Sequence, residues 1–331
     1  MTTAKTALVL GATGGIGGEV ARRLKDAGWH VRALNRDLAK LRERDGLEWV
    51  QGDAMSAADV LAAARGAAVI VHAVNPPGYQ RWAELVLPMM DNTIAAARAT
   101  GARIVLPGTI YNFGPDAFPR LREDSPQHPV TTKGAIRVEM ERRLQAASRD
   151  GVRSLVVRAG DFFGARAANN WFSQGLTKAG AAVTTIRNPG SAGHQWAYLP
   201  DVAQTMLRLI ETDDGSTAFE RFHMDGHWDA TGREMAEAIA RVVARETGRA
   251  PRIAAFPWWL ATLAAPFVTF FKEVREMRYL WREPLRMDNA RLVARLGAEP
   301  HTPLDEAVRA TLAGQGSLEC PLPLSSATGR A

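Results

Sequence analysis

The sequence predicts an α/β fold, a doubly wound parallel sheet with a smaller, mainly helical C-terminal substrate lobe. Two observations carry the prediction. Short apolar runs of strand length, Ala7–Leu10, His30–Asn35, Leu47–Gln51, Val69–His72, Arg103–Leu106 and Ser154–Arg158, alternate with helical patterns, and alternation with crossovers favours parallel strands covered on both faces. Between the first run and the first helix stand Gly11, Gly14 and Gly17, a strand–turn–helix arrangement suited to an anion at the helix N-terminus.

The glycine turn has the spacing G-x-x-G-x-x-G. Gly11 allows the tight turn, Gly14 lets backbone N–H groups approach a diphosphate, and Gly17 lets helix and strand pack closely. Thr13, Gly15 and Ile16 complete this candidate cradle. The second strand ends in Asn35-Arg36-Asp37. A carboxylate at this strand end would accept from ribose hydroxyls, whereas an arginine pairs with a 2′-phosphate, so Asn35 and Arg36 favour NADP(H) over NAD(H). Arg36 as a plain surface residue, with Asp37 capping the next helix, is the competing reading.

The third strand runs into Gly52-Asp53, where the carboxylate suits either an adenine amino group or the cap of the helix starting near Ser56. After the fourth strand, Ala73 and Asn75 precede Pro76 and Pro77, small and rigid residues against which a cofactor can lie; His72 reads as a strand-end or core histidine. Helix Trp82–Thr100 leads to the fifth strand and then to Thr109 and Tyr111, at the carboxyl end where ligands sit in such sheets. A helix through Glu139, Arg143 and Leu144 precedes the sixth strand. The chain divides into a dinucleotide-binding core, 1–165, a mixed segment, 166–312, that completes the core and forms the substrate lobe, and a flexible tail, 313–331.

Composition narrows the function classes. Of 331 residues, 46% are hydrophobic and 23% charged, ordinary for a globular protein. The net charge of +6 is spread among acidic residues, so no nucleic-acid partner is expected. The single cysteine, Cys320, excludes a disulfide framework and a thiol–metal cluster and suits a cytoplasmic location; no metal is expected. The first apolar run is short and ends in glycines, so no secretory signal is expected. Ile253–Phe271 is apolar but carries Pro257 and Pro266, and reads as a buried helix pair or pocket wall. No transmembrane span and no peripheral membrane contact are expected; a homodimer is compatible with the sequence.

Taken in order, Gly11–Gly17, Gly52-Asp53, Thr109 with Phe113-Gly114, Lys133, Arg158-Ala159-Gly160 through Phe163-Gly164, and Leu199-Pro200-Asp201-Val202-Ala203 resemble the landmarks of the extended, atypical short-chain dehydrogenase/reductase family, its NAD(P)-dependent epimerase/dehydratase-like branch. The resemblance spans residues 5 to 312. It implies a Rossmann-type fold, a nicotinamide cofactor and a Tyr-x-x-x-Lys pair. Lys133 matches the lysine, and Pro129 takes the tyrosine's place. A proline transfers no proton, which leaves three readings open: Tyr111 substitutes, sharing a face with Thr109 if that segment is extended; Lys133 is itself the base; or the protein binds NADP(H) without redox chemistry.

The resemblance implies that Thr109 donates to the substrate oxygen, against a strand-end hydroxyl that bonds backbone, and that Lys133 pairs with the nicotinamide ribose, against a solvated helix residue. Asp201 reads as the N-cap of helix Val202–Glu211. His194, Trp196 and Trp171 are candidate substrate contacts, and Phe256, Trp258, Trp259, Tyr279 and Trp281 suggest an aromatic-lined cavity in the lobe. The expected activity is an NADP(H)-dependent oxidoreductase or epimerase/dehydratase for a small molecule with a secondary alcohol or ketone. The alternative is a non-catalytic NADP(H)-binding, redox-sensing regulatory protein.

Overall fold

The computed structural model describes residues 4–41, 43–76, 81–167, 170–264 and 275–318. Its centre is a seven-stranded parallel sheet. The strands are β1 (Thr6–Leu10), β2 (His30–Asn35), β3 (Glu48–Gln51), β4 (Ala67–His72), β5 (Arg103–Thr109), β7 (Ser154–Ala159) and β11 (Phe219–His223), in the spatial order β11-β7-β5-β4-β1-β2-β3. Strand order reverses between β1 and β4, and such a switch point opens the crevice in which ligands bind in doubly wound sheets. The β1 run Ala-Leu-Val-Leu is buried along its length. Continuous burial explains why it reads as an unbroken apolar run.

Side chains from alternate positions of β1 feed two cores. Ala7 and Val9 face a layer with helix α1 (Gly15–Asp26) and helix α5 (Leu199–Glu211). Leu8 and Leu10 face helices α2 (Ala57–Ala64), α3 (Trp82–Thr100) and α4 (Thr132–Ser148). The period-two alternation of a strand thus places one helical layer on each face.

The remaining elements are short. Strands β8 (Asp161–Phe163), β10 (His194–Tyr198) and β12 (His227–Asp229) form one small sheet, with β10 central. Strand β9 (Thr185–Asn188) pairs with β13 (Arg252–Ala255), and β6 (Arg120–Leu121) with β14 (Arg286–Met287). Helix α6 (Glu234–Thr247) packs on helix Leu304–Gly314 within a third core. The chain therefore returns to the main sheet after leaving it, since β11 pairs with β7 in parallel.

Over its described part the apolar stretch beginning at Ile253 forms a pocket wall and not a buried helix pair: it opens within β13, Phe256, Pro257 and Leu260 line a surface cavity, and helix α7 (Trp258–Ala264) leaves Trp259 and Leu263 exposed; residues 265–274 lie outside the described residues. Two sequence expectations change. Asp201 is not an N-cap, because α5 begins at Leu199 after Tyr198. Its carboxylate instead accepts from the Thr302 amide and hydroxyl, both at 2.8 Å. Of segment 313–331, residues up to 318 are described: Ser317 is buried and Gln315 Nε2 donates to the Gly164 carbonyl at 3.3 Å. Cys320 lies outside the described residues.

Candidate active site

The glycine turn has the geometry its sequence implies. Gly11 adopts φ +91°, a left-handed conformation open to glycine, and a β-carbon there would stand 2.5 Å from the Ala73 carbonyl oxygen. A β-carbon on Gly17 would overlap the Gly11 carbonyl. Gly14 N donates back to that carbonyl at 2.9 Å and forms the N-cap of α1, with no side chain capping the helix. The first-turn amides, uncapped by protein and carrying the positive end of the helix dipole, are available to an anion.

Two adjoining cavities open on this turn. The first, ≈ 350 Å³, has Gly11, Asn35, Arg36 and Asp53 on its walls. The second, ≈ 380 Å³, has Gly15 and Ile16, and both share Thr13, Gly14, Ala73 and Asn75. Gly17 lies behind the turn and lines neither. The cradle residues expected from sequence are thus brought together.

At the first cavity, Arg36 is exposed at the end of β2. Its neighbours are committed elsewhere: Asn35 Oδ1 accepts from Asp37 N at 2.9 Å, and Asp37 caps the short turn Leu38–Lys40. The Lys40 ammonium, 2.9 Å from the Asp37 carboxylate, holds that carboxyl below its usual range. Asp53 uses Oδ1 for the Met55 amide at 2.9 Å, while Ser56 caps α2. The adenine contact expected of Asp53 would fall to its other carboxylate oxygen.

The second cavity is bounded by Thr109, Tyr111, Arg137, Asp161, His72 and Trp82. Thr109 ends β5, and Ile110–Asn112 is a 3-10 turn rather than an extended segment, with the Tyr111 amide 3.4 Å from Thr109 Oγ1. Both side chains still reach one cavity, by the turn rather than by alternation. A β-carbon on Gly134 would overlap the Tyr111 carbonyl, so α4 begins hard against this turn. Tyr111 donates to Asp161 Oδ1 at 3.3 Å, and Asp161 Oδ2 lies 2.8 Å from His194 Nε2.

His72 is neutral. Thr93 gives its own proton to the Met89 carbonyl at 3.0 Å, so it accepts from His72 Nδ1 at 2.8 Å and leaves Nε2 as a bare lone pair. Burial, aided by the Arg137 charge, pulls the His72 pKa down to about 3.

Several expected residues fall elsewhere. Lys133, buried in the first turn of α4, lines neither cavity; Arg137, one turn on, lines the second and places its guanidinium 5.2 Å from the Trp82 ring centroid. Lys133 and Arg137 have the i, i+4 spacing of the expected pair, a signal available in the sequence. His194, Trp196 and Trp171 also lie off the cavity walls. His194 and Trp196 are buried around Trp281, with the His194 and Trp281 rings stacked at 3.7 Å, and Trp171 packs edge-on to Trp281. His194 and Trp196 form the aromatic interior behind the site because β10 is the middle strand of its sheet, and Trp171 joins them from the turn Trp171–Leu176. Of the lobe aromatics, Phe256 lines a separate surface cavity of ≈ 430 Å³.

A model of the NAD dependent epimerase/dehydratase family matches residues 7–224. The chain belongs to this family. A 3-diazoavenalumate denitrifying reductase from Streptomyces sp. is 29% identical over 286 residues, 78% of this chain and 82% of the relative. The UDP-glucose 4-epimerase of Brucella ovis, solved with NAD, superposes with a TM-score of 0.73 at 17% identity, covering 95% of this chain and 99% of that one. The Bordetella bronchiseptica enzyme WbmH, solved with NAD+, gives 0.67 at 18% identity, with 94% and 98% covered. At such identities the likeness to the solved structures is one of fold.

For this epimerase/dehydratase-family protein, the cradle fits a dinucleotide: a β-carbon at Gly11 or Gly17 would collide with the backbone that holds the turn open. The Gly14–Gly17 segment would take the diphosphate, and the two cavities the two nucleoside ends. Among the described residues no helix is long and apolar enough to cross a membrane, and no His/Cys/Asp/Glu group could hold a metal.

Proposed function

We propose that this protein is an NADP(H)-dependent oxidoreductase for a small molecule carrying a ketone or secondary alcohol. The observation that carries the reading is the meeting of Tyr111, Thr109 and Arg137 in the cavity that adjoins the glycine cradle. Bound NADPH supplies a hydride. Thr109 and the Tyr111 phenol hold the substrate oxygen, with the phenol exchanging a proton there. Arg137, rather than Lys133, brings positive charge to the oxygen as negative charge develops on it. Arg36, at the mouth of the first cavity, selects the 2′-phosphate. The partly identical Streptomyces reductase supports reduction over epimerisation.

The decisive experiment follows NADPH absorbance while purified protein meets a panel of aromatic and aliphatic ketones and aldehydes, with NADH in parallel. Saturable NADPH consumption with at least one of them is expected. Tight NADPH binding without turnover on any carbonyl or alcohol would favour the second reading, a redox-sensing regulatory protein, which draws on Pro129 where the expected phenol is missing.

A further inference from the structure

Asp161 touches two proton carriers at once. One carboxylate oxygen accepts from the Tyr111 phenol at 3.3 Å, and the other faces His194 Nε2 at 2.8 Å. The carboxylate and the imidazole are 7% and 1% exposed, yet Asp161 and Tyr111 both reach the cavity wall.

The proton count follows from the partners. His194 Nδ1 lies 3.3 Å from the Leu280 carbonyl, which can only accept, so Nδ1 carries a hydrogen. The 2.8 Å approach of Nε2 to Asp161 then requires one more hydrogen between them. Whichever atom holds it, the pair is net neutral, and this avoids leaving an isolated charge in a buried site.

The arrangement is held by construction. Asp161 and Trp196 are register partners in the parallel β8–β10 ladder. Gly160 permits it, since a β-carbon there would overlap the Gln195 carbonyl. Stacking on Trp281, with ring planes 10° apart, and an edge contact with Trp196 fix the His194 ring orientation. The Tyr279 phenol, whose pKa is pushed up by burial, lies 3.5 Å from the Phe113 carbonyl, and Arg137 stands on the cavity wall.

We infer that Asp161 is a second catalytic residue, the proton store that recharges Tyr111, and that His194 is the positioning residue that keeps the shared hydrogen within reach of Asp161. The inference rests on the oxidoreductase reading above. In the reducing direction a hydride from the reduced nicotinamide adds to the carbonyl carbon, and the C=O π pair moves to oxygen. That oxygen takes the Tyr111 proton, and the Asp161 carboxyl, holding the shared hydrogen on Oδ2, turns about its Cβ–Cγ bond to deliver that hydrogen to the phenolate while Oδ1 swings to His194 Nε2. Water then returns a proton to the pair. Alcohol oxidation runs the same chain backwards. The route gives Tyr111 a proton donor that the missing Tyr-x-x-x-Lys phenol would otherwise have made unnecessary.

The test has two arms. In the first, Asp161→Asn, Tyr111→Phe and the double variant are compared by NADPH affinity and by turnover on the substrate found above. Each single variant is expected to lose about 100-fold in kcat with cofactor Kd unchanged, and the double to lose no more than the worse single, because the residues act as a unit. Full turnover in Asp161→Asn, or losses that multiply, overturns the inference. The second arm needs no cofactor and no turnover: imidazole nitrogen NMR of His194 in the apo protein. A hydrogen on Nδ1 and a downfield, exchange-protected hydrogen on the Nε2 side, both retained in Tyr111→Phe, are expected; a bare Nδ1 overturns the proton count even if Asp161→Asn fails to fold. A wild type that turns over nothing while showing this signature refutes the oxidoreductase reading, and with it the catalytic role of Asp161, but leaves the shared proton established.

Discussion

Gly17 sits so close to the carbonyl of Gly11 that a β-carbon would occupy the space of that oxygen. The contact joins the first turn of α1 to the end of β1, and the proposed diphosphate cradle depends on it. Gly17→Ala is therefore expected to weaken NADPH binding at least tenfold by calorimetry, with the circular dichroism spectrum retained. Unchanged affinity would show that the turn has another way to stay open.

Arg36 is predicted to decide between the coenzymes. Replacing it with Gln should raise the NADPH Kd roughly 10- to 100-fold, the loss of about 1.4 to 2.8 kcal/mol expected of a charge-assisted phosphate contact, and leave NADH nearly untouched. Equal effects on both coenzymes would remove the 2′-phosphate role.

Arg137 is predicted to act on the reaction rather than on coenzyme affinity. Arg137→Leu should lower kcat by about 100-fold, the scale of a lost donor to a developing oxyanion, at similar NADPH Kd. A matching rise in Kd with kcat preserved would make it a binding residue only.

Glu141 closes a buried network behind the cavity: it receives Arg158 through two hydrogen bonds, one of them 3.0 Å from Nε, and Asn112 Nδ2 at 2.9 Å, while Arg158 Nη1 meets His223 Nε2 at 2.9 Å. Glu141→Gln strands the Arg158 charge away from water. The expected loss is about 3–5 kcal/mol in urea unfolding, because removing one partner of a buried pair leaves the other uncompensated. A loss under about 1 kcal/mol would mean that water or Gln127 takes over the guanidinium.

Acid should destabilise the protein well above the carboxylate range. Burial lowers the pKa of His72 and of His223 to about 3 and that of His227 to about 4, against 6.5 for an open imidazole. Their folded pKa values lie below the unfolded one, so between these limits the unfolded chain binds more protons. Stability is complete above about pH 6.5 and falls as pH drops toward the folded values, by up to about 1.4 kcal/mol per unit for each histidine. Urea midpoints measured at pH 7, 6 and 5 should decline steadily; a flat series would mean that these rings are charged in the fold.

The sequence was most legible where structure is local. The glycine turn, β2 and α3 are set by backbone geometry and by nearby apolar patterns, so their residues can be named from the chain alone. The placement of His194 and Trp196 depended on β10 lying between β8 and β12, a pairing that no local pattern encodes. Lys133 and Arg137 differ by one helical turn, and which of them meets the cavity is decided by how α4 abuts the turn at Tyr111. Asp161 gave a usable signal, a carboxylate just past the carboxyl end of a buried strand, but its partner is 33 residues away along the chain.

The grip of Asp201 on Thr302 ties a late segment of the chain to the cavity beside the glycine turn. Leu199, two residues before Asp201, shares the second cavity's wall with Gly15. Ending the chain before Thr302 would release Asp201 and slacken that wall, so a loop 101 residues further along the chain braces one side of the cavity beside the glycine turn.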